Sequence, residues 1–398
     1  MASLSVCVVV FFNVPGLAAT DAMDVSRRSG RVSDDRTTDG NPLERLLIQG
    51  LELIGRNRLD EAESTIRRLL TMRPDFRLAN VVLGDLLLRR AGGVDRFGAG
   101  VVDRDKELAD LLAEARVRWD SERRPATNAL PGEVLRIPAR YSHVVIVDFS
   151  RSRLYLFRNW QSIPEKVADY YIAIGKEGSG KTLEGDKKTP IGFYHVTGRM
   201  GDDTLPPFYG VGAFPLDYPN AWDQLHQRTG SGIWLHGSPT DTYSRPPRAS
   251  DGCVVLTNPD FSDLGKSLLV DNPVILTERI EWLEPKAWWQ RREQMLQRVN
   301  RWRDDWIQKK GEGILRHYSS SYRGTPRMDD GAAWNLLLDG RVDLLDPGLM
   351  GYPGDESMMV VIWGEWQTSD SARHGVPMTQ YWRPEKGTDW KIVFEPNG

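Results

Sequence analysis

Apolar residues recur at helical spacing in the stretch that begins near residue 41. In the first run they return every three or four positions, a pattern typical of an amphipathic helix, at Leu43, Leu46, Leu47, Leu51 and Ile54. The same spacing predicts a second helix over 59–70, closed by Pro74, and a third over about 76–88. A helical domain is therefore predicted over residues 41–125.

The segment 55–87, from GRNRLDEAES to LGDLL, resembles a tetratricopeptide helix pair. One such unit is recognisable, whereas a stable array of these repeats needs about three. Two interpretations stay open: a partner-binding array, or a small helical domain packed on its neighbour.

From Ser142 the apolar pattern changes to strand-like runs. The runs over 143–149 and 153–157 flank a turn-like Ser-Arg-Ser, which predicts a hairpin. Further strand-like runs begin at Tyr170, Gly192, Ile233, Cys253 and Pro273. A mostly β domain with long loops is predicted over 126–284, and the charged segment 121–139 is interpreted as the linker that leads into it.

The last part of the chain changes pattern again. Residues 286–310 predict an amphipathic, tryptophan-rich helix, and strand-like runs follow from Met358 and Met378 to the final WKIVFE. A helix followed by a curved sheet predicts an α+β module over 285–398, which resembles the nuclear-transport-factor-two-like cone fold. The predicted fold class is therefore multidomain α+β, and the tryptophans are assigned to the core of the module rather than to a ligand platform.

The N-terminus has the pattern of an export signal. An apolar run from Leu4 is followed by small residues near Ala18 and Ala19, although the first positive side chain is Arg27. We expect a signal peptide over 1–19, a disordered spacer over 20–40 and a periplasmic mature chain without a transmembrane segment. The alternative is a buried N-terminal strand.

Composition and charge narrow the classes of function. A length of 398 residues suggests two or three domains. A formal net charge of -3 argues against a surface for nucleic acid or another polyanion. The sequence has no cysteine pair at metal-ligand spacing, no H-x-x-x-H motif and no clustered His/Asp run, so neither a metal nor a cofactor is predicted.

The run GKEGSGKT over 175–182 satisfies the P-loop pattern literally. A P-loop must lead into a helix whose N-terminus holds the phosphates. Gly185, Pro190 and Gly192 would break such a helix. The run is therefore interpreted as a glycine-rich surface loop between two strands.

The chemistry is expected around Cys253. Removal of the signal peptide would remove Cys7 and leave Cys253 without an internal disulfide partner, as a candidate nucleophile or a redox liability. His236 ends one predicted strand and Cys253 begins another, so the imidazole could accept the thiol proton. The carbonyl of Gly237 is the candidate that orients the imidazole, and the backbone N–H groups of Gly252 and Cys253 are candidates to hold an oxyanion.

These residues resemble the catalytic signature of the L,D-transpeptidase (YkuD-type) family. The matching positions are His236, Gly237, Ser250, Asp251, Gly252, Cys253 and Asn258. Two earlier segments, GDKKTPIGFY from Gly185 and PLDYPNAWD from Pro215, also resemble the family, and the resemblance covers about 140–280. The chain departs from many members at Asp251, where they have His, and at Val255, where they have Arg.

The resemblance implies an acyl-transfer reaction on peptidoglycan stem peptides. The thiolate would attack the carbonyl on the L-side of the third residue, and the terminal D-amino acid would leave an acyl-enzyme. An amine acceptor gives transpeptidation and water gives carboxypeptidation, while a related subgroup releases a lipoprotein from the stem. The departures and the cone-like domain resemble the subgroup that trims or edits the stems.

Further residues are candidates for the substrate side of the site. Arg245 and Arg248 could pair with stem-peptide carboxylates, or they could be solvated loop arginines. Tyr218 and Trp234 could line the cleft, with core packing as the alternative. The remaining candidates for substrate binding are Ser238, Ser250 and Asp251.

Two other functions are weighed against this one. In the first, the chain is a non-catalytic envelope scaffold that binds peptidoglycan or an envelope protein through its helical and C-terminal domains. The presence of both His236 and Cys253 argues against it. The second, a general thiol protease, is weaker because no side chain stands out to orient the histidine.

Overall fold

The chain forms two compact units. The computed structural model describes residues 41–92, 97–101, 104–121, 128–308, 311–324, 346–354, 358–363, 378–385 and 389–396. The first unit, called the helical unit, holds the described residues up to Trp119 together with Asp241–Pro246. The second, called the β unit, holds the described residues from Asp120 to Thr240 and from Pro247 onward.

The predictions on export and on membrane-spanning segments can be compared with the structure only in part. The predicted signal peptide over 1–19, which contains Cys7, and the spacer over 20–40 lie outside the described residues. Among the helices that the structure describes, none has the length and apolar character needed to cross a bilayer.

The described part of the helical unit contains the helices α1 (Pro42–Gly55), α2 (Leu59–Met72), α3 (Arg77–Arg90) and α4 (Asp105–Ser121). The first three confirm the predicted helices. The Asn41 side chain caps α1 by accepting a hydrogen bond from the Leu43 N–H at 3.0 Å, and Pro42 occupies the first turn. Leu47 and Leu51 are buried, so the apolar stripe of α1 faces the core of the unit.

The β unit begins with thirteen strands in its described segments up to residue 283. They are β1 (Leu130–Pro131), β2 (Val134–Arg136), β3 (His143–Asp148), β4 (Arg153–Trp160), β5 (Ile163–Gly175), β6 (Gly192–His195), β7 (Met200–Gly201), β8 (Gly212–Pro215), β9 (Trp234–His236), β10 (Arg248–Ser250), β11 (Val254–Leu256), β12 (Pro273–Thr277) and β13 (Trp282–Leu283). Between them lie two 3-10 helices (Asp202–Thr204 and Pro207–Tyr209) and the helices α5 (Ala221–Leu225) and α6 (Asn258–Leu264).

Ten of these strands form one sheet, which we call the first sheet. Its order is β6-β12-β3-β4-β5-β11-β9-β8-β7, with β10 paired to β5. The antiparallel pair β3–β4 confirms the predicted hairpin. Buried residues of these strands, among them Val145, Ile172, Leu235 and Val254, form an apolar core that fixes the positions of β9 and β11.

The last part of the chain adds the helices α7 (Pro285–Ile307) and α8 (Gly311–Leu315) and the strands β14 (Tyr318–Gly324), β15 (Gly348–Gly351), β16 (Met359–Trp363), β17 (Met378–Glu385) and β18 (Asp389–Glu395). A second sheet has the order β14-β18-β17-β16-β15-β2. Trp288, Trp302 and Trp306 of α7 are buried against it, as the assignment of the tryptophans to the core predicts, whereas Trp289 is exposed.

Strand β2 shows that the linker prediction over 121–139 is wrong for part of that segment. Its residues Val134–Arg136 pair antiparallel with β15, and β1 pairs with β13. The two sheets also share an apolar cluster, in which the Trp222 ring stacks on Tyr381 at 5.1 Å. Both sheets therefore lie in one compact unit.

Candidate active site

Strand pairing brings His236 and Cys253 to one place in the first sheet. The parallel strands β9 and β11 are neighbours, with Val254 opposite Leu235 and Val255 opposite His236. Because side chains alternate along a strand, Cys253, two residues before Val255, lies on the same face as His236. His236 is fully buried and Cys253, which directly precedes β11, is half-buried. The thiol therefore lies nearer to solvent than the imidazole.

The backbone carbonyl of Gly237 fixes the His236 ring. The ring Nδ1 lies 2.7 Å from the Gly237 oxygen in a buried hydrogen bond. A carbonyl oxygen can only accept, so the proton of the neutral imidazole is on Nδ1 and Nε2 is the basic nitrogen. The histidine is thus set up as a proton acceptor by its main-chain neighbour, without a carboxylate.

Gly237 itself has no room for a side chain. A Cβ at this position would lie 2.2 Å from Asn258 Oδ1 and 3.2 Å from the Val211 nitrogen. Asn258 begins α6 and accepts a hydrogen bond from the Val211 N–H at 3.3 Å. The asparagine of the family-like motif therefore supports the backbone that orients the histidine.

Ser250 closes the turn that carries the thiol. Its hydroxyl accepts the Gly252 N–H at 3.1 Å and donates to the Cys253 carbonyl at 2.6 Å. The Ser250 side chain is buried. Its position favours a role in shaping the turn over the predicted contact with substrate.

Gly252 is required by the same turn. Its φ of 133° lies in a region that glycine favours, and a Cβ there would lie 2.9 Å from the Lys188 carbonyl oxygen. Its N–H is engaged by Ser250, so its assignment to an oxyanion stays a prediction. The Cys253 thiol donates to the Gly232 carbonyl at 3.4 Å.

Tyr209 is a site residue that the sequence analysis missed. Its ring centroid lies 5.0 Å from the His236 ring and 4.9 Å from the Trp234 ring. Burial, and after it the negative charges of Cys253 and Asp251, raise the pKa of the Tyr209 hydroxyl. The hydroxyl therefore stays protonated beside the thiol. The only sequence signal for Tyr209 was its position in the aromatic pair Phe208-Tyr209 before β8. This pair belongs to no catalytic motif.

Comparison with known proteins identifies this region. Residues 142–276 match the family model of the L,D-transpeptidase catalytic domain, YkuD. These residues form a YkuD-type L,D-transpeptidase domain. A search of curated proteins gives no match. Domains of this type modify peptidoglycan.

Two solved structures share the fold. Bd1075 of Bdellovibrio bacteriovorus is 23% identical, with a TM-score of 0.56, and the match covers 67% of this chain and 97% of that one. The helical cell shape determining protein Pgp2 of Campylobacter jejuni is 20% identical, with a TM-score of 0.53, over 67% of this chain and 95% of that one. The likeness therefore extends well beyond the residues that match the family model.

In this L,D-transpeptidase domain the glycine-rich run over 175–182 supports the turn that carries Cys253. No helix follows β5 within the described residues 176–191. Lys181 is buried and donates to Asp186 and to the Leu183 carbonyl, each at 2.9 Å. The Lys176 N–H donates to the Ser250 carbonyl at 2.7 Å. The run therefore lacks P-loop geometry and belongs to the site as structural support.

Three predicted substrate residues lie on β9, on β10 or in the turn before Cys253 in the L,D-transpeptidase domain. Asp251 is exposed, and its Oδ1 lies 3.0 Å from the ammonium of Lys176. Arg248 is exposed, and its guanidinium lies against Gly178. Trp234 is half-buried beside Tyr209. Asp251 and Arg248 place charge of both signs on the exposed side of the turn.

The other predicted substrate residues lie elsewhere. Tyr218 is buried in the core of the first sheet and donates to the Thr229 carbonyl at 3.0 Å, which favours the core role over contact with substrate. Ser238 is also buried. Arg245 lies in the segment Asp241–Pro246, which belongs to the helical unit.

The described residues contain no cluster of three or more His, Cys, Asp or Glu side chains able to hold a metal ion. The groups that the site brings together are a thiol, an imidazole with its basic nitrogen set by Gly237, and a neutral phenol. Such an arrangement can perform nucleophilic acyl transfer with His236 as the proton acceptor.

Proposed function

We propose that the chain is a cysteine-dependent acyl-transfer enzyme that acts on peptidoglycan stem peptides in the periplasm. The observation that carries this proposal is the His236–Gly237 hydrogen bond, because it leaves Nε2 as the basic imidazole nitrogen of a side chain on the sheet face shared with Cys253. The match of 142–276 to the L,D-transpeptidase domain supports the substrate class.

The reaction proceeds in two balanced steps. His236 takes the thiol proton and the Cys253 sulfur attacks the carbonyl of the third stem residue, so that a C–S bond forms. The C–N bond to the D-amino acid then breaks, and the leaving amine takes the proton from the imidazolium. In the second step water or an amine attacks the thioester and releases the thiol, which gives carboxypeptidation or transpeptidation respectively.

A role in cell shape is consistent with this chemistry. Pgp2, which shares the fold, is named as a determinant of helical cell shape. Shortening or linking stem peptides changes how many cross-links a wall can form, so either product would alter wall geometry. The periplasmic location rests on the signal-like residues 1–19.

The test is mass spectrometry of the full chain incubated with a disaccharide tetrapeptide, with Cys253→Ala in parallel. We expect loss of one terminal D-alanine and a transient acyl adduct, both absent in Cys253→Ala. A tripeptide product identifies a carboxypeptidase and a linked dimer identifies a transpeptidase.

A second substrate separates the remaining alternatives. The same incubation is repeated with lipoprotein-bearing sacculi, because release of the lipoprotein is the third outcome open to this chemistry. Absence of product and adduct on both substrates, with Cys253→Ala still folded, would overturn the enzymatic proposal and favour the scaffold.

A further inference from the structure

The stretch that leads into β6 lies directly behind the turn that carries Cys253. We call residues 187–192 the backing segment. A Cβ at Gly252, the residue before Cys253, would lie 2.9 Å from the Lys188 carbonyl oxygen. The backbone of the turn and the backbone of the backing segment are therefore packed against each other. Because protein interiors are close-packed, a displacement of the segment is transmitted to the turn.

The backing segment is attached on one side to the end of β5. Thr189 is fully buried, and its hydroxyl accepts the Gly175 N–H at 2.9 Å. The Thr189 N–H donates to the Gly178 carbonyl at 2.9 Å. A Cβ at Gly175 would lie 2.3 Å from the Lys187 carbonyl oxygen, so the two backbones leave no space between them. The first sheet thus fixes the middle of the segment.

The last two residues of the backing segment meet the second sheet. We call residues 352–354, which directly follow β15, the β15 loop. A Cβ at Gly354 would lie 3.0 Å from Ile191 Cγ2, and a Cβ at Gly192 would lie 2.9 Å from the Tyr352 hydroxyl oxygen. All of these residues belong to the β unit. The β15 loop therefore packs on two successive residues of the segment.

Tyr352 fixes the β15 loop in the apolar cluster that the two sheets share. Its side chain is 4% exposed. The Trp222 ring lies 6.0 Å from the Tyr352 ring, and the Tyr381 ring lies 5.9 Å from it. The Tyr352 N–H donates to the Met358 carbonyl at 2.9 Å. Buried aromatic side chains contribute strongly to packing, so the loop keeps the position that the second sheet gives it.

This contact joins the catalytic-domain match to a part of the chain outside it. The backing segment lies within residues 142–276, whereas Tyr352 and Gly354 lie beyond them. Contacts run from Tyr352 to Gly192 and, through the backing segment, from Lys188 to Gly252. The second sheet therefore completes the packing behind the turn.

We propose that Tyr352 is a positioning residue through which the second sheet holds the backing segment against the Cys253 turn. The inference rests on the proposed function for its reaction. A supported turn keeps the thiol in register with His236, so that the imidazole takes up the thiol proton. A turn without this support moves the thiol out of register, and the proton then stays on sulfur.

The test compares Tyr352→Ala and Tyr352→Phe in the full chain. We expect Tyr352→Ala to lower kcat for the disaccharide tetrapeptide by about tenfold with little change in KM, because the nucleophile is displaced. Labelling of Cys253 by iodoacetamide at pH 7, measured on its peptide by mass spectrometry, should slow by a similar factor, since the thiolate is the reactive form. Tyr352→Phe keeps the ring contacts and should stay within about threefold of the wild type.

Leu349→Ala is the matched control. Leu349 lies in β15 and is fully buried, but it belongs to the apolar cluster around α7 and not to the one that the two sheets share. Its truncation should destabilise the second sheet, as removal of a large buried side chain does, and leave kcat and labelling at wild-type values. If Leu349→Ala lowers both as much as Tyr352→Ala does, general stability of the second sheet explains the effect and the proposal is overturned.

Ile191→Ala tests the same contact from the other side. It removes the side chain that meets Gly354 and should lower kcat and labelling in the same direction, which keeps the test decisive if Tyr352→Ala does not fold. Unchanged kcat and labelling in the folded variants, or a change in KM alone, would overturn the proposal. A wild type without turnover, whose labelling still slows in Tyr352→Ala but not in Leu349→Ala, would refute the proposed function and leave the positioning role in place.

Discussion

The turn at Ser250–Cys253 and the segment Asp241–Pro246 are neighbours in sequence but are held by different means. In the turn, the Ser250 hydroxyl accepts the Gly252 N–H and donates to the Cys253 carbonyl. A side chain at Gly252 would have no room, so the backbone is fixed there as well. In the segment Asp241–Pro246, side chains of the helical unit contact Tyr243 and Ser244.

The turn is therefore held within the β unit, and Asp241–Pro246 is held within the helical unit. The thiol and imidazole depend on strand register and on main-chain groups of the β unit, which side-chain changes in the helical unit leave intact. The segment Asp241–Pro246 depends on side chains from the ends of α1, α2 and α3 and from α4. We therefore expect changes around the turn to lower kcat.

The largest effect is expected from Gly237→Ala. The new methyl group would clash with Asn258 Oδ1 and displace the carbonyl that orients His236. We expect kcat to fall by at least about 100-fold, because a small displacement of a catalytic group is costly. The clash is also expected to cost about 2 kcal/mol of unfolding free energy.

Gly198→Ala is the matched control for this prediction. A Cβ at Gly198 meets nothing within 4 Å. Steady-state kinetics and urea unfolding of both variants make the comparison. Wild-type kcat in Gly237→Ala would mean that the Gly237 carbonyl does not set the histidine.

Ser250→Ala should have the next largest effect. It removes two hydrogen bonds within the turn, each worth about 1 kcal/mol net, so kcat should fall by about 30-fold if the loss appears in the transition state. KM should change little. Ser250→Thr keeps the hydroxyl and should recover most of kcat. A raised KM with unchanged kcat would instead restore the predicted contact of Ser250 with substrate.

Local patterns made part of this molecule predictable. The helical spacing of Leu43 to Ile54 predicted α1, and two apolar runs around Ser-Arg-Ser predicted the hairpin β3–β4. The predicted strands that end at His236 and begin at Cys253 correspond to the neighbouring strands β9 and β11, whereas the catalytic roles of the two residues stay a prediction.

Long-range pairing accounts for what the sequence did not indicate. Strand β2 has three residues in a segment with linker-like composition, and its partner β15 lies more than 200 positions away, so no local period indicates it. Asn41 and Tyr243 are 202 residues apart. Their contact, like that of Tyr209 with His236, arises only when the tertiary fold brings separate segments together.

The smallest effect on catalysis is expected from Glu133→Gln, which tests whether stability of the β unit can change without touching either region. Glu133 accepts the Glu281 N–H at 2.8 Å through Oε1, while no partner among the described residues reaches its buried Oε2. Burial raises the pKa of this carboxyl to about 7. Since the folded-state value exceeds the unfolded one, ionisation of Glu133 destabilises the fold progressively as pH rises from about 4.5 to about 7.

Glu133→Gln removes that penalty but keeps the acceptor for the Glu281 N–H. The variant should be more stable than the wild type by about 1–3 kcal/mol at pH 8, where the wild-type carboxylate is charged, and the gain should vanish near pH 4. Urea unfolding at the two pH values measures it. Values of kcat and KM should match the wild type, because Glu133 takes no part in the hydrogen bonds that hold the Ser250–Cys253 turn. An equal gain at both pH values would show that packing, not ionisation, is responsible. A changed kcat would show that the geometry of the turn depends on the overall stability of the β unit and not only on the hydrogen bonds of Ser250.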